Sequence, residues 1–233
     1  MQDSPDWQYD EFHGFALDFH DPVQVKLYDG QQGTDLDAES QIVRFLGISE
    51  KDTLIEYGAG TGAFVEAAAR VCRHVHAVDV SRAMIEYASE RLGKIGVANV
   101  TFHHAGFLTY EHRDAPVSFV VAKFALHHLP DFWKIVALGR INRFLQLGGG
   151  FYLEDVVFSF QPESYNTAIQ QWIDRASESG ISFSKKDFEG HVRDEYSTYS
   201  WMMEAMIQRA GFAIRNSEFL SPTIATYLCE KVE

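Results

Sequence analysis

An α/β fold, a mostly parallel sheet with helices on both faces, is what this sequence predicts, and three observations carry the prediction. The first is the run Thr53-Leu-Ile-Glu-Tyr-Gly-Ala-Gly-Thr-Gly-Ala-Phe64, which reads as a short buried strand, an acid at its end, a glycine-rich turn and a helix start. The second comes about twenty residues later, where His74-Val-His-Ala-Val-Asp79 reads as another strand ending in an acid. The third is that strands and helices keep alternating and then close on two strands joined too tightly to be parallel. Strand, helix, strand at this pitch gives right-handed βαβ units and a parallel sheet covered on both sides.

Taken in order, residues 1–36 are rich in aromatics and acids (Trp7, Tyr9, Phe12, Phe15, Phe19, Tyr28) and read as an N-terminal cap segment. Ile42, Val43, Phe45 and Leu46 suggest an amphipathic helix closed by Gly47. Strands are expected near 53–57, 74–79, 99–103, 117–122 and 150–157, with helices near 62–72, 82–92 and 130–146. Ser81 suits the N-cap of the second helix and Pro130 the first turn of the third. Gly148-Gly149-Gly150 then ends that helix. Over about 160–195 the alternation pauses at two weaker helical patterns, near 162–179 and 185–193, which read as a helical cap insertion. A helix from about Thr198 to Ala210 is stopped by Gly211. Two last strands, near 212–219 and 223–230, are joined through Leu220-Ser221-Pro222, a link short enough only for an antiparallel pair. Residues 37–233 thus form one domain carrying the insertion.

Composition narrows the function. The 46% hydrophobic and 14% aromatic content of these 233 residues belongs to a folded globular chain. No apolar run approaches a membrane span, and the acidic start lacks the features of a secretory signal. Cys72 and Cys229, far apart, read as reduced thiols of a cytoplasmic protein. The formal charge of −13, with no dense Lys/Arg cluster, argues against a nucleic-acid or anionic-membrane partner.

The glycine turn has two readings by spacing alone. Gly58, Gly60 and Ala63 satisfy the dinucleotide fingerprint, and Asp79 stands where its ribose-binding acid would. Glu56 separates them. An anion at the strand tip opposes a pyrophosphate but suits a ligand with an ammonium and a sulfonium group, as in S-adenosylmethionine (SAM). Backbone N–H groups of Gly58-Ala59-Gly60 near a helix start suit that ligand's carboxylate.

With these residues the chain resembles the class I SAM-dependent methyltransferases, in particular the small-molecule branch that includes quinone-biosynthesis methyltransferases. The resemblance runs from about Asp37 to Glu233. It rests on Glu56–Gly62, on Val78-Asp79-Val80-Ser81 with Met84 after it, on Phe124-Ala-Leu-His-His-Leu-Pro130, on Leu147-Gly-Gly-Gly150 and on Ala210-Gly211-Phe212. It implies a seven-stranded sheet of order 3-2-1-4-5-7-6, SAM over the carboxyl ends of the first two strands, and S-adenosylhomocysteine as product. Glu56, Gly58, Ala59 and Gly60 would surround the methionine part, Asp79 and Val80 the ribose, and Met84 the adenine. Three positions depart from the family pattern. Gly106 replaces an acid after strand three, leaving adenine to backbone groups and Phe107. Ser118 replaces an aspartate at the start of strand four, and Lys123 stands where a small polar residue is usual, beside the cofactor.

Methyl transfer from a sulfonium needs alignment more than acid–base machinery. His127, on the loop after strand four, is the candidate general base, and Asp155, at the end of strand five, the candidate substrate contact. Lys123 is expected to pair with Glu154 or Asp155, which must face opposite sides of the strand. No metal is expected: His103-His104 and His127-His128 are adjacent pairs that point apart on a strand, and no metal-ligand motif appears. The acceptor is expected to be a small molecule chosen by the cap and the insertion, whose aromatics serve either to close over it or to form the cap's own core or a homodimer contact. Two alternatives stand beside the methyltransferase: a catalytically silent SAM-binding partner protein, and an NAD-dependent oxidoreductase, which the closing antiparallel hairpin disfavours.

Overall fold

A computed structural model describes residues 6–12, 25, 35–178 and 184–233. The expected cap segment 1–36 and the middle of the insertion therefore lie largely outside the described residues. From the first continuous stretch the elements are α1 (Leu36–Phe45), β1 (Thr53–Tyr57), α2 (Ala63–Ala69), β2 (His74–Asp79), α3 (Arg82–Lys94), β3 (Val100–His104) and β4 (Val117–Lys123). A 3-10 turn at Leu126–His128 leads into α4 (Asp131–Phe144) and β5 (Leu145–Phe158). Then come α5 (Tyr165–Glu178), α6 (Lys185–Asp194), β6 (Thr198–Tyr199), α7 (Ser200–Arg209), β7 (Phe212–Ser221) and β8 (Ile224–Lys231).

The sheet runs β3-β2-β1-β4-β5-β8-β7, parallel through β5 and antiparallel in its last two pairings. That is the expected order, since the two closing strands are here β7 and β8. Two details differ. Thr198–Tyr199, expected to open a helix, instead forms the short β6 beside the end of β5. Moreover, β5 begins at Leu145 rather than near residue 150, because a register shift opposite Val117 and Phe119 lets the glycine run extend the strand. Gly150 is required there, as a Cβ would lie 2.7 Å from the Phe119 ring.

Alternation along each strand divides the core in two. Ile55, Tyr57, Val78, Val120, Phe151 and Leu153 pack with Leu138 and Ile141 of α4 and Ile207 of α7. Leu54, Val75, Ala77, Val121 and Tyr152 pack instead with Phe64 and Ala68 of α2 and Val43 of α1. Each fully buried Leu, Ile, Val or Phe contributes about 1.5–3 kcal/mol of transfer free energy, so both layers are held chiefly by burial. The caps follow the sequence: Ser81 Oγ accepts from Met84 N at 3.1 Å, and α4 begins directly after Pro130. Cys72 and Cys229 are free and buried. Among the described residues no helix is long and apolar enough to cross a membrane.

Candidate functional site

The carboxyl ends of β1, β2, β4 and β5 converge on one edge of the sheet, and the glycine turn after β1 is its centre. Gly58 takes φ +70°, and a Cβ on it would lie 2.5 Å from the Cβ of Ala125, just past β4. Bare backbone is thus pressed against the exit of β4, which only glycine allows. The amides of Gly58 and Ala59 donate to Val78 O at 2.9 and 3.1 Å. Gly60 N donates to Asp79 Oδ2 at 2.8 Å, and Ser81 N to Asp79 Oδ1 at 2.7 Å. Asp79, 8% exposed, therefore braces the turn from both sides. The expectation that the Gly58-Ala59-Gly60 amides stand open for a ligand carboxylate is corrected: they are engaged within the protein, and what these residues provide is a Cβ-free wall.

Above this turn lies a row of charge fixed by strand periodicity. Glu56, Lys123 and Glu154 each follow an apolar residue of the α1 face (Leu54, Val121, Tyr152) by two positions, so all three side chains take that face. Register sets Lys123 beside Glu154, and α1 brings Glu39 across them. Lys123 Nζ contacts both Glu39 oxygens at 2.6 Å and Glu154 at 3.9 Å. The expected Lys123–Glu154 pair is present, with Glu39 as the nearer partner. One lysine thus faces three acids. Glu56 is only 3% exposed, and among the described residues its Oε2 has no hydrogen-bond partner. Burial and then the nearby Glu39 push its carboxyl well above the usual range, against the opposing pull of Lys123. A desolvated, unpartnered carboxyl oxygen in a negative wall is complementary to an ammonium group.

Beyond β3 the loop carries Gly106 and Phe107. Gly106 is small because a carboxylate from elsewhere fills its place: a Cβ there would overlap the Glu11 carboxylate and come 2.7 Å from Val80 Cγ1. Glu11, 7% exposed, accepts from Leu108 N at 3.0 and 3.1 Å and from Thr109 Oγ1 at 2.6 Å. The acid absent from the loop is thus supplied by the N-terminal segment. Sequence reasoning missed Glu11, since nothing local links residues 97 positions apart. The Phe107 ring stacks on Tyr57 at 4.5 Å and is buried in the core. Met84 is buried at the start of α3, and Val80 borders the Glu11 carboxylate. Phe124, held at φ +48° and exposed, marks a strained bend where β4 leaves the sheet.

On the opposite face, Asp155 turns away from Glu154 as strand alternation requires. Fully buried, it accepts from the His127 and Val156 amides at 3.1 and 2.7 Å and contacts His127 Nδ1. His127 Nε2 lies 3.2 Å from Glu195, which also contacts His191 Nδ1, while His191 Nε2 lies 2.7 Å from Ser197 Oγ. Two carboxylates and two imidazoles alternate in one buried chain. Burial alone would lower His127, but Asp155 and Glu195 raise it to about 9. Burial, followed by repulsion from His127, pushes His128 down to about 3. The adjacent histidines do not point apart as on a strand: the 3-10 turn leaves their rings 4.2 Å apart. His191 and Glu195, from the insertion, were absent from the sequence-based site.

The insertion is clamped over this chain of charges. Tyr196 N donates to His127 O at 2.9 Å, and the fully buried Lys134 ammonium donates to Asp131 Oδ1 at 2.8 Å and to Tyr196 O. Trp172 packs edge-on against Phe188 at 5.0 Å and His191 at 5.4 Å, so the insertion's aromatics form a core of their own that ends at the histidines. From the other side Tyr9 OH donates to His128 O at 3.1 Å, and Trp7 stacks on Trp133.

Residues 54–149 match the family described as a methyltransferase domain. An uncharacterized methyltransferase of Anoxybacillus flavithermus is 26% identical over 205 residues, covering 88% of this chain and 89% of that protein. One from Bacillus cereus is 27% identical over 161 residues, 69% of each. Among solved structures, a SAM-dependent methyltransferase from Aquifex aeolicus superposes with a TM-score of 0.66 at 17% identity, over 91% of this chain and 99% of that one. The geranyl diphosphate C-methyltransferase of Streptomyces coelicolor A3(2), in complex with Mg2+, geranyl-S-thiolodiphosphate and S-adenosyl-L-homocysteine, superposes with a TM-score of 0.64 at 14% identity, over 84% of this chain and 76% of that one.

Glu56 has a consequence for the empty protein. A carboxyl raised above its unfolded value favours the folded state below the unfolded value, and that stability is lost as pH rises through the folded one. The substitution Glu56→Gln removes this loss while keeping the shape. At pH 8 it is expected to raise the Tm by a few degrees, equivalent to about 1–3 kcal/mol for relieving an unsatisfied buried group. A lowered Tm would show the carboxylate to be internally compensated.

Proposed function

We propose that this chain, whose residues 54–149 match a methyltransferase domain, transfers the methyl group of S-adenosylmethionine to a small organic acceptor, leaving S-adenosylhomocysteine. The observation that carries this reading is Glu56, whose buried, unpartnered oxygen in a wall of acids fits the cofactor's ammonium group. A pyrophosphate would be repelled there, which argues against a dinucleotide. Asp79 accepts from the ribose hydroxyls while still bracing Gly60 and Ser81. Val80, Met84 and the backbone of Gly106 and Phe107 line the adenine end, where Glu11 provides the acceptor that the loop lacks. Gly58, Ala59 and Gly60 form the Cβ-free wall beside the methionine part, and Lys123 tempers the acids around it. When bound, SAM supplies a methyl carbon activated by its sulfonium, so that this chain's part is to align and to exclude water.

On the other face, His127 is the candidate base. Asp155 fixes its Nδ1 side and stabilises the imidazolium, as a buried carboxylate behind a catalytic histidine does. An acceptor O–H or N–H that takes the place of Glu195 at Nε2 removes one of the two anions that keep His127 charged, so the ring sheds its proton to solvent and presents Nε2 as a lone pair to the acceptor. This arrangement has no use in a protein that only binds SAM, which favours an enzyme over a silent partner. The core formed by α5 and α6 closes the acceptor side and sets its size. Two buried, reduced thiols and the strong negative charge fit a cytoplasmic setting with no nucleic-acid partner.

Calorimetry tests the cofactor. Asp79→Ala is expected to weaken SAM by about 2–3 kcal/mol through lost hydrogen bonds to a charged acceptor, roughly 30- to 150-fold in Kd. Binding of NAD without SAM would overturn the assignment. The base is tested by pH. Turnover on a proton-losing acceptor should rise with pH as His127, raised toward about 9 in the free protein, loses its proton. Glu195→Gln removes one of the raising carboxylates and should move that rise to lower pH; an unmoved midpoint would exclude His127.

A further inference from the structure

A second concentration of histidines lies away from the glycine turn, at the edge of the sheet where β2 and β3 pair. His74 and His76 alternate onto one face of β2, and β3 brings His103 beside them. The loop between β3 and β4 adds His112 and Asp114. Ring centroids stand 4.8 Å apart for His74 and His76, 5.0 Å for His76 and His112, and 5.4 Å for His76 and His103. A cavity of about 380 Å³ opens onto this cluster, lined by four of its members, His74, His76, His103 and Asp114. Nothing in the methyl-transfer site uses these residues.

We propose that this cluster is a binding site for a divalent transition-metal ion of the zinc class, ligated by His76, His112 and Asp114 with the remaining position open to the cavity. Each of the three offers one ligand atom, and these atoms lie within 4.8 Å of one another. Hydrogen bonds set the tautomers. His112 Nε2 lies 2.9 Å from Ala115 O, so it carries the proton and leaves the lone pair on Nδ1, which lies 3.2 Å from Tyr110 OH. His76 Nδ1 lies 3.2 Å from His103 Nε2, which leaves Nε2 to face Asp114 at 3.9 Å. A histidine ligand whose other nitrogen is held by a carbonyl or a second side chain is the usual outer-shell arrangement of a metal site. Three nitrogen or oxygen ligands and one open position is a coordination that zinc accepts.

The two histidine clusters differ in their partners. Among the described residues, the exposed Asp114 is the carboxylate that faces these imidazoles, whereas in the His127 chain each imidazole already faces a carboxylate. Arg73 is turned aside onto Thr53 Oγ1 at 3.1 and 3.3 Å. An ion here would tie the β3–β4 loop, which also carries Gly106 and Thr109, to the middle of β2.

The test uses tag-free protein freed of metal by chelation, titrated with Zn2+ and with Co2+ as a spectroscopic probe. The expected result is one tightly held ion per chain, a Tm raised by Zn2+, and Co2+ absorption bands of nitrogen–oxygen ligation. The double variant H112A/D114A, whose changes lie in a loop, should remain folded by circular dichroism and lose at least about a hundredfold in affinity, whereas Glu195→Gln should bind as the parent does. Absence of a bound ion, or equal binding by the folded H112A/D114A variant, would overturn the proposal. Loss of the ion in Glu195→Gln with retention in H112A/D114A would overturn it too, by assigning the metal to the His127 cluster.

Discussion

A carboxyl group without a partner, held where water does not reach, is the constraint on which the cofactor side of this molecule depends. Glu56 sits at the tip of β1 with Oε2 unbonded, and Glu39 and Glu154 share the single Lys123 nearby. Such a group weakens the folded state by an amount comparable to a lost hydrogen bond or more. The surrounding structure tolerates it because β1 is paired on both sides and capped by two hydrophobic layers. A ligand cation beside this carboxyl would relieve it, converting a folding liability into binding free energy.

The opposite face solves the same problem differently. Asp155 is as buried as Glu56, yet it is satisfied by two amides and the His127 ring. Glu195 and His191 extend the alternation of sign, so each buried carboxylate there faces an imidazole. The two acids at the end of β5 therefore serve different ends: Glu154 tempers the cofactor wall through Lys123, and Asp155 orients the histidine. Strand alternation alone separates them. Linking both faces are the N-terminal residues, with Glu11 on the β3 loop and Tyr9 on the His128 carbonyl.

The sheet order, the caps and the turn were legible because they are local. Ser81 bonds three residues ahead, Gly58 answers a contact that its own φ announces, and the closing hairpin is dictated by a short link. Glu56 and Asp79 were legible for the same reason, each ending its strand. What escaped was non-local. Glu11 reaches Leu108 across 97 residues, and Glu195 reaches His127 across 68 with no pattern between them. The stacking of Phe107 on Tyr57 escaped as well, because a residue after a strand end can turn to either side. The glycine amides were misread because the Val78 carbonyl takes those of Gly58 and Ala59, and the Asp79 carboxylate takes that of Gly60.

Burial and Glu39 raise the Glu56 carboxyl, and an incoming ammonium group would lower it again. Titration calorimetry of SAM near neutral pH, repeated in buffers of widely different ionisation enthalpy, measures that coupling directly. Lowering of the Glu56 carboxyl by the ligand cation predicts net proton release on binding, seen as a heat that scales with the buffer. A heat independent of buffer, or net proton uptake, would contradict it.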